Sequence, residues 1–137
     1  MRQLPLGAGT CDVALCLWTA FHELLTGHEQ LQALREIHGV LRPGGWALFE
    51  GPVGRRATAE VPQARARSRR VAAVPVNGLW NRYYQHDLDS LTQLVTAAGI
   101  TRYRVYAEAW AGRPRQFLWL AKEPGPPSIH TIHKPPA

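Results

Sequence analysis

Apolar and polar positions follow three rhythms along this chain. Residues 11–21, Cys-Asp-Val-Ala-Leu-Cys-Leu-Trp-Thr-Ala-Phe, make a short run with apolar residues at odd and even positions alike. A run of that length reads as a strand over 11–18 covered on both faces of a sheet; the start of a buried helix is the alternative. From Thr26 the period lengthens. Leu31, Leu34, Ile37 or His38, and Leu41 recur every three or four residues, which predicts an amphipathic helix of about three turns. Thr26 and Glu29 have the spacing of a capping box, in which the hydroxyl takes one free N–H and the carboxylate returns the bond. Gly39 weakens this helix, and Arg42-Pro43-Gly44-Gly45 stops it, since Pro43 biases Arg42 away from helical angles and the glycines allow a sharp reversal. An apolar strand, Trp-Ala-Leu-Phe-Glu-Gly-Pro (46–52), follows at once. Strand, helix and strand in that order predict a crossover unit whose two strands lie parallel and adjacent.

Residues 53–75 change character. Arg55, Arg56, Arg65, Arg67, Arg69 and Arg70 face one acid, Glu60, and Pro62 interrupts any long helix. Periodicity returns with Asp87 as a cap, Leu88, Leu91, Leu94, Val95 and Ala98 on one helical face, and Gly99 as the stop. Two alternating stretches, about 101–110 and 116–122, predict a hairpin joined by Ala-Gly-Arg-Pro-Arg. From Pro124 the chain is proline-rich and aperiodic, the pattern of a disordered tail over 124–137.

Composition narrows the class. The chain has 137 residues, 45% of them apolar, which fits one domain with a core, here placed over 1–123. No apolar run is long enough to span a membrane. The only two cysteines, Cys11 and Cys16, lie five apart in an apolar context and read as free thiols in a reducing, cytoplasmic setting. The net charge of +6 admits acidic partners. The arginine-rich stretch carries no interleaved aromatics and no nucleic-acid motif, so a solvated segment over a binding pocket is the preferred reading and a nucleic-acid surface the lesser one. His130-Thr131-Ile132-His133 is too sparse for a metal site.

The ordered set of words carries a resemblance. Leu4-Pro5-Leu6 precedes Asp12 at the mouth of a strand; Val40 to Gly45 spells Val-Leu-Arg-Pro-Gly-Gly before the next; Arg82-Tyr83-Tyr84 leads to a helix ending in Ala98-Gly99; a hairpin closes the series. In this order residues 4–122 resemble the C-terminal half of class I S-adenosylmethionine-dependent methyltransferases, especially those acting on small molecules. The resemblance implies an α/β fold: an incomplete Rossmann-like methyltransferase sheet of the last four strands, the final hairpin antiparallel, with flanking helices. The family's glycine-rich turn and second-strand acid have no counterpart upstream. A rival alignment sets Leu-Pro-Leu-Gly-Ala-Gly-Thr-Cys-Asp against that glycine-rich turn, with Gly7 and Gly9 approaching the cofactor and a helix starting near Asp12.

The resemblance also implies a site. Arg2, Gln3 and Leu4 would lie near the adenine of S-adenosylmethionine. Leu17, Trp18 and Thr19 would line its methionine side. Phe21, His22, Arg55 and Tyr83 would face a small-molecule acceptor. Methyl transfer from a sulfonium is an in-line displacement in which positioning does most of the work; a base is needed only where the acceptor must lose a proton. His22 is the candidate base, with Glu50 at the end of the second strand facing the same rim; the plainer roles are a helix-start histidine hydrogen-bonded to the backbone for His22, and solvation or a salt bridge with Arg55 or Arg56 for Glu50. A chain starting at the family's fourth strand holds one wall of the cofactor crevice and leaves 11–18 as an apolar edge. The expectation is therefore a truncated fragment with little activity alone, or else a non-enzymatic half-domain or basic interaction module that pairs with a second chain completing the sheet.

Overall fold

A computed structural model describes residues 3–53 and 71–124. Two central strands carry the architecture. Strand β1 (Cys11–Cys16) and β2 (Leu41–Pro52) pair in parallel, joined by a short 3-10 turn at Ala20–Glu23 and helix α1 (Gly27–Val40). A hairpin, β3 (Val71–Val76) and β4 (Leu79–Tyr84), forms a separate two-stranded sheet. Helix α2 (Leu88–Ala97) leads to the hairpin β5 (Tyr103–Trp110) and β6 (Arg113–Ala121), which completes a four-stranded sheet of order β1-β2-β6-β5. Because β6 runs antiparallel to both neighbours, β1, β2 and β5 share one direction.

Caps fix both helices. Thr26 Oγ1 accepts from the Glu29 N–H at 3.2 Å to start α1. Asp87 Oδ1 accepts from the Ser90 N–H at 2.7 Å, and Ser90 Oγ accepts from the Asp87 N–H at 3.1 Å, so α2 closes its first turn reciprocally. Gly99, at φ 81°, ends that unit. The stop after α1 is tighter than the sequence suggests. The helix runs to Val40 and the strand begins at Leu41, with Arg42-Pro43-Gly44-Gly45 inside the strand as an outward loop. The two-residue step from Cys11 to Val13 faces the five-residue step from Leu41 to Trp46. Gly44 sits at φ 78° and donates its N–H to Lys122 O at 3.2 Å, and Arg42 pairs with Asp12 across the bulge. Gly45 has no room for a side chain: a Cβ there would lie 2.9 Å from Asp12 O.

Both helices cover the same face of the sheet. Leu34 and Ile37 of α1 and Leu91 and Val95 of α2 pack on Ala47, Phe49, Leu118 and Leu120. Phe21 wedges in from the 3-10 turn, edge-on to Phe49 at 5.2 Å. Each such fully buried side chain contributes roughly 1.5–3 kcal/mol. The opposite face, where Val13, Leu15, Trp46, Leu48, Phe117 and Trp119 stand, has no helix over it among the described residues, and Leu15 is 59% exposed.

Four expectations change. Strand β1 ends at Cys16, not at residue 18, because Trp18 and Thr19 turn into the left-handed region at φ 57° and 71°. Residues 71–84 form a hairpin where none was expected, and the Arg82-Tyr83-Tyr84 word lies on β4, which leads directly to α2. Its Asn77-Gly78 corner, with both φ positive, is the turn whose twist suits tight hairpins. The glycine-rich rival alignment also falls, since residues 11–16 form a strand where it requires a helix. The final hairpin turns on Ala111-Gly112 alone, not on five residues, which sets its register. The arginine-rich stretch from 54 to 70 and the tail from 125 lie outside the described residues.

Two glycines separate packing from propensity. A methyl at Gly51 would run into the His22 ring, so Gly51→Ala should lose about 1–3 kcal/mol in a denaturant titration. Nothing lies within 4 Å of a Cβ at Gly39 of α1, so Gly39→Ala should gain about 0.5–1 kcal/mol in the same assay.

Candidate functional site

The carboxyl ends of β1, β2 and β5 come level along one rim, the edge at which open α/β sheets bind ligands. At the end of β1, Trp18 and Thr19 hold consecutive left-handed backbones although neither is glycine. A bulky or β-branched residue at positive φ costs energy, and such strain gathers at functional sites. The Glu50 carboxylate at the end of β2 supports this turn. Its Oε2 accepts from the Trp18 N–H at 2.9 Å, while its Oε1 takes both the Nε and an Nη of Arg115 at the start of β6. Both side chains of the pair are mostly buried, at 12% and 19% exposed. The partner expected for Glu50 was Arg55 or Arg56; the structure supplies Arg115 from 65 residues away.

His22 stands one layer below the rim. It is 2% exposed. Its Nδ1 donates a hydrogen bond to the Tyr84 carbonyl at 3.0 Å, and the other side of the ring rests on Gly51. Burial lowers its pKa, the Tyr84 bond opposes that, and the Arg115 charge adds to the lowering. Neither ring nitrogen faces open space. His86, 3% exposed, packs edge-on to His22 at 5.6 Å. Its Nε2 is 3.1 Å from Gln30 Oε1 and its Nδ1 3.1 Å from Ser90 Oγ. Gln30 donates to Leu24 O at 2.7 Å, and Gln116 donates to His86 O at 3.0 Å. This buried polar chain ties the 3-10 turn, α1, the start of α2 and β6 together, and the neighbouring His22 bond adds the end of β4.

The other expected residues fall as follows. Phe21 is 1% exposed and belongs to the core, which corrects its placement against an acceptor. Leu17 and Trp18 are exposed on the rim, at 39% and 76%. Thr19 and Tyr83 are half-buried, Tyr83 opposite Ala72 in the β3–β4 hairpin. Gln3 is exposed, and Leu4 donates its N–H to Glu36 Oε2 of α1 at 3.2 Å. Arg2 and Arg55 lie outside the described residues. The sequence reading missed Arg115 and Trp110. Trp110, at the end of β5, lies edge-on to Trp18 with ring centres 6.1 Å apart. The signal for both was the two-residue turn Ala111-Gly112, whose register sets Glu108 opposite Arg115 and Trp110 opposite Arg113. No group of three or more metal-ligating side chains occurs among the described residues. No described helix is long and apolar enough to cross a membrane.

Comparison with known proteins agrees with this geometry. The methyltransferase domain family model matches residues 1–49. No curated protein sequence matches the chain. Among solved structures, the chain is similar to an S-adenosylmethionine-dependent methyltransferase from Methanosarcina mazei, with 13% identity and a TM-score of 0.69 over 90% of this chain and 65% of that one. It is similar to the 1,6-didemethyltoxoflavin-N1-methyltransferase of Burkholderia thailandensis, solved with 1,6-didemethyltoxoflavin and S-adenosylhomocysteine, with 18% identity and a TM-score of 0.62 over 89% of this chain and 48% of that one. It is also similar to CalS10, an amino pentose methyltransferase from Micromonospora echinaspora with bound S-adenosylmethionine, with 17% identity and a TM-score of 0.58 over 87% and 61%. The chain thus spans about half to two thirds of the length of these structures. With its first 49 residues matching the methyltransferase domain and its sheet superposing on these enzymes, the chain has the fold of the class I S-adenosylmethionine-dependent methyltransferases.

Proposed function

We propose that this chain works in S-adenosylmethionine-dependent methyl transfer to a small molecule, and that it holds one wall of the cofactor crevice while polypeptide beyond β1 holds the other. The observation that carries the reading is the state of β1. It is a parallel strand with a single partner among the described residues, and its carboxyl end carries the strained Trp18–Thr19 turn. Parallel strands are normally flanked and covered on both sides. Trp18, Leu17 and Thr19 take the methionine side of the cofactor, with Gln3, Leu4 and Arg2 toward its adenine. Arg55 and Tyr83 belong to the acceptor side. Cys11 and Cys16, neither of them in a disulfide, suit the cytoplasm.

The chemistry asked of these residues is placement. The reacting methyl carbon is already electrophilic, and a nucleophile held in line about 3–3.5 Å away needs little else. His22 and Glu50 are occupied, the first by Tyr84 and Gly51, the second by Trp18 and Arg115. In this reading they keep the rim in shape, and deprotonation of the acceptor, where needed, falls to other groups. Calorimetric titration of the chain with S-adenosylmethionine tests the shared wall. Weak or absent heat from the chain alone, rising to micromolar binding when a polypeptide supplying the neighbouring strand is added, is the expected result. Micromolar binding by the chain alone refutes it.

The structural role of His22 has its own signature. Its pKa is depressed by burial, so below the ordinary histidine value of about 6.5 the unfolded chain takes up the proton first. Stability from this group is therefore full above that value and falls as the solution is acidified through it. His38, also depressed by burial, adds to the same slope. His22→Asn, which retains a donor toward Tyr84 O, should flatten the acid limb of the unfolding midpoint; an unchanged slope contradicts the assignment.

A further inference from the structure

Two large indoles stand in water at the rim. Trp18 is 76% exposed and Trp110 57%, yet they are not scattered surface residues. Trp18 follows β1 and Trp110 ends β5, the two outermost strands of the sheet, and they meet edge-on, with 6.1 Å between ring centres and planes at 75°. The backbone of Trp18 is held at φ 57° by a hydrogen bond to Glu50, and Glu50 is held by Arg115. Strain in a bulky residue, buttressed by a mostly buried ion pair and ending in an exposed ring, is arranged for presenting that ring.

We propose that Trp18 and Trp110 form a contact site for a neutral, planar heteroaromatic ring, with Glu50 and Arg115 as its positioning residues. Two perpendicular indoles give such a ring one face to stack on and one edge to meet, the arrangements aromatic groups prefer. Glu50 pairs with Arg115, Glu108 stands opposite Arg115 and Arg113 opposite Trp110, so two carboxylates and two guanidiniums beside the pair balance and the site sets no demand for a charged ligand. There is space beside it. A hollow of about 490 Å³ opens on the same side of the sheet, lined by Glu108, Tyr106, Trp119 and Arg104, with Glu108 two residues before Trp110. Within the proposed function this ring is the methyl acceptor, and the inference rests on that reading for its biological role, though not for binding.

The test uses the full chain labelled with nitrogen-15. Its five tryptophans give five indole N–H signals, and Trp18→Ala and Trp110→Ala identify two of them by loss. Titration with quinoxaline, a neutral planar bicycle, should move these two signals saturably and leave those of Trp46 and Trp80. Each alanine variant should weaken quinoxaline binding by roughly fivefold, the size of one lost aromatic contact. Glu50→Gln should shift the Trp18 signal before any ligand is added and weaken binding as well, while the chain stays folded. The proposal fails if all five signals move alike, if cyclohexanol moves the two as quinoxaline does, or if Trp110→Ala titrates like the parent. S-adenosylhomocysteine in the same samples separates the two claims. Heat from that ligand without a quinoxaline response removes this site and leaves the proposed function. A quinoxaline response with no heat on adding S-adenosylhomocysteine, even when a polypeptide supplying the neighbouring strand is present, does the reverse.

Discussion

The register between β1 and β2 is the constraint on which the other features rest. It sets Ala14 beside Ala47 and Cys16 beside Phe49 on the helical face, and Val13 beside Trp46 and Leu15 beside Leu48 on the other. A slip of one residue would exchange these sets and strand the apolar contacts of α1 and α2. Gly45 makes the register reachable, since only a residue without a side chain can pass the Asp12 and Arg42 carbonyls. The same alignment brings the ends of the strands level. Only then does a carboxylate at position 50 meet the backbone of residue 18, and only because β6 lies antiparallel beside β2 does Arg115 reach that carboxylate.

Below the rim, neutral hydrogen bonding takes over from charge. Gln30, His86, Ser90 and Gln116 form a polar chain inside an apolar core, with His22 against it. Buried polar groups cost little when each finds a partner and fix relative orientation strongly, since any shift leaves one unpaired. One acceptor, Gln116 Oε1, has no partner among the described residues. The division is plain: charge and strain at the rim, hydrogen-bonded amides and imidazoles beneath, hydrocarbon at the base.

Local signals in the sequence announced local structure. Thr26 capped its helix, Asp87 capped the next, and the apolar runs at 11–16 and 46–52 became the parallel pair. What failed was the reading of turns. Asn77-Gly78 between Val74-Pro75-Val76 and Leu79-Trp80 is a strong hairpin signal, but proline and exposed apolar residues obscure the alternation on either side of it. Setting the last turn at five residues, not two, hid the pairing of Glu108 with Arg115 and of Trp110 with Arg113. The site was half legible for the same reason. His22, Glu50 and Trp18 lie at strand ends that the crossover unit fixes. Their partners, Tyr84, Arg115 and Trp110, come from elements 62 to 92 residues away, and no period or spacing announces contacts over that distance.

The two margins of the sheet are chemically unequal. Strand β5 carries Arg104 and Glu108 outward, side chains that discourage another chain from adding there. Strand β1 offers Val13 and Leu15 beside a hydrogen-bonding row with one neighbour. Lateral growth is therefore one-sided.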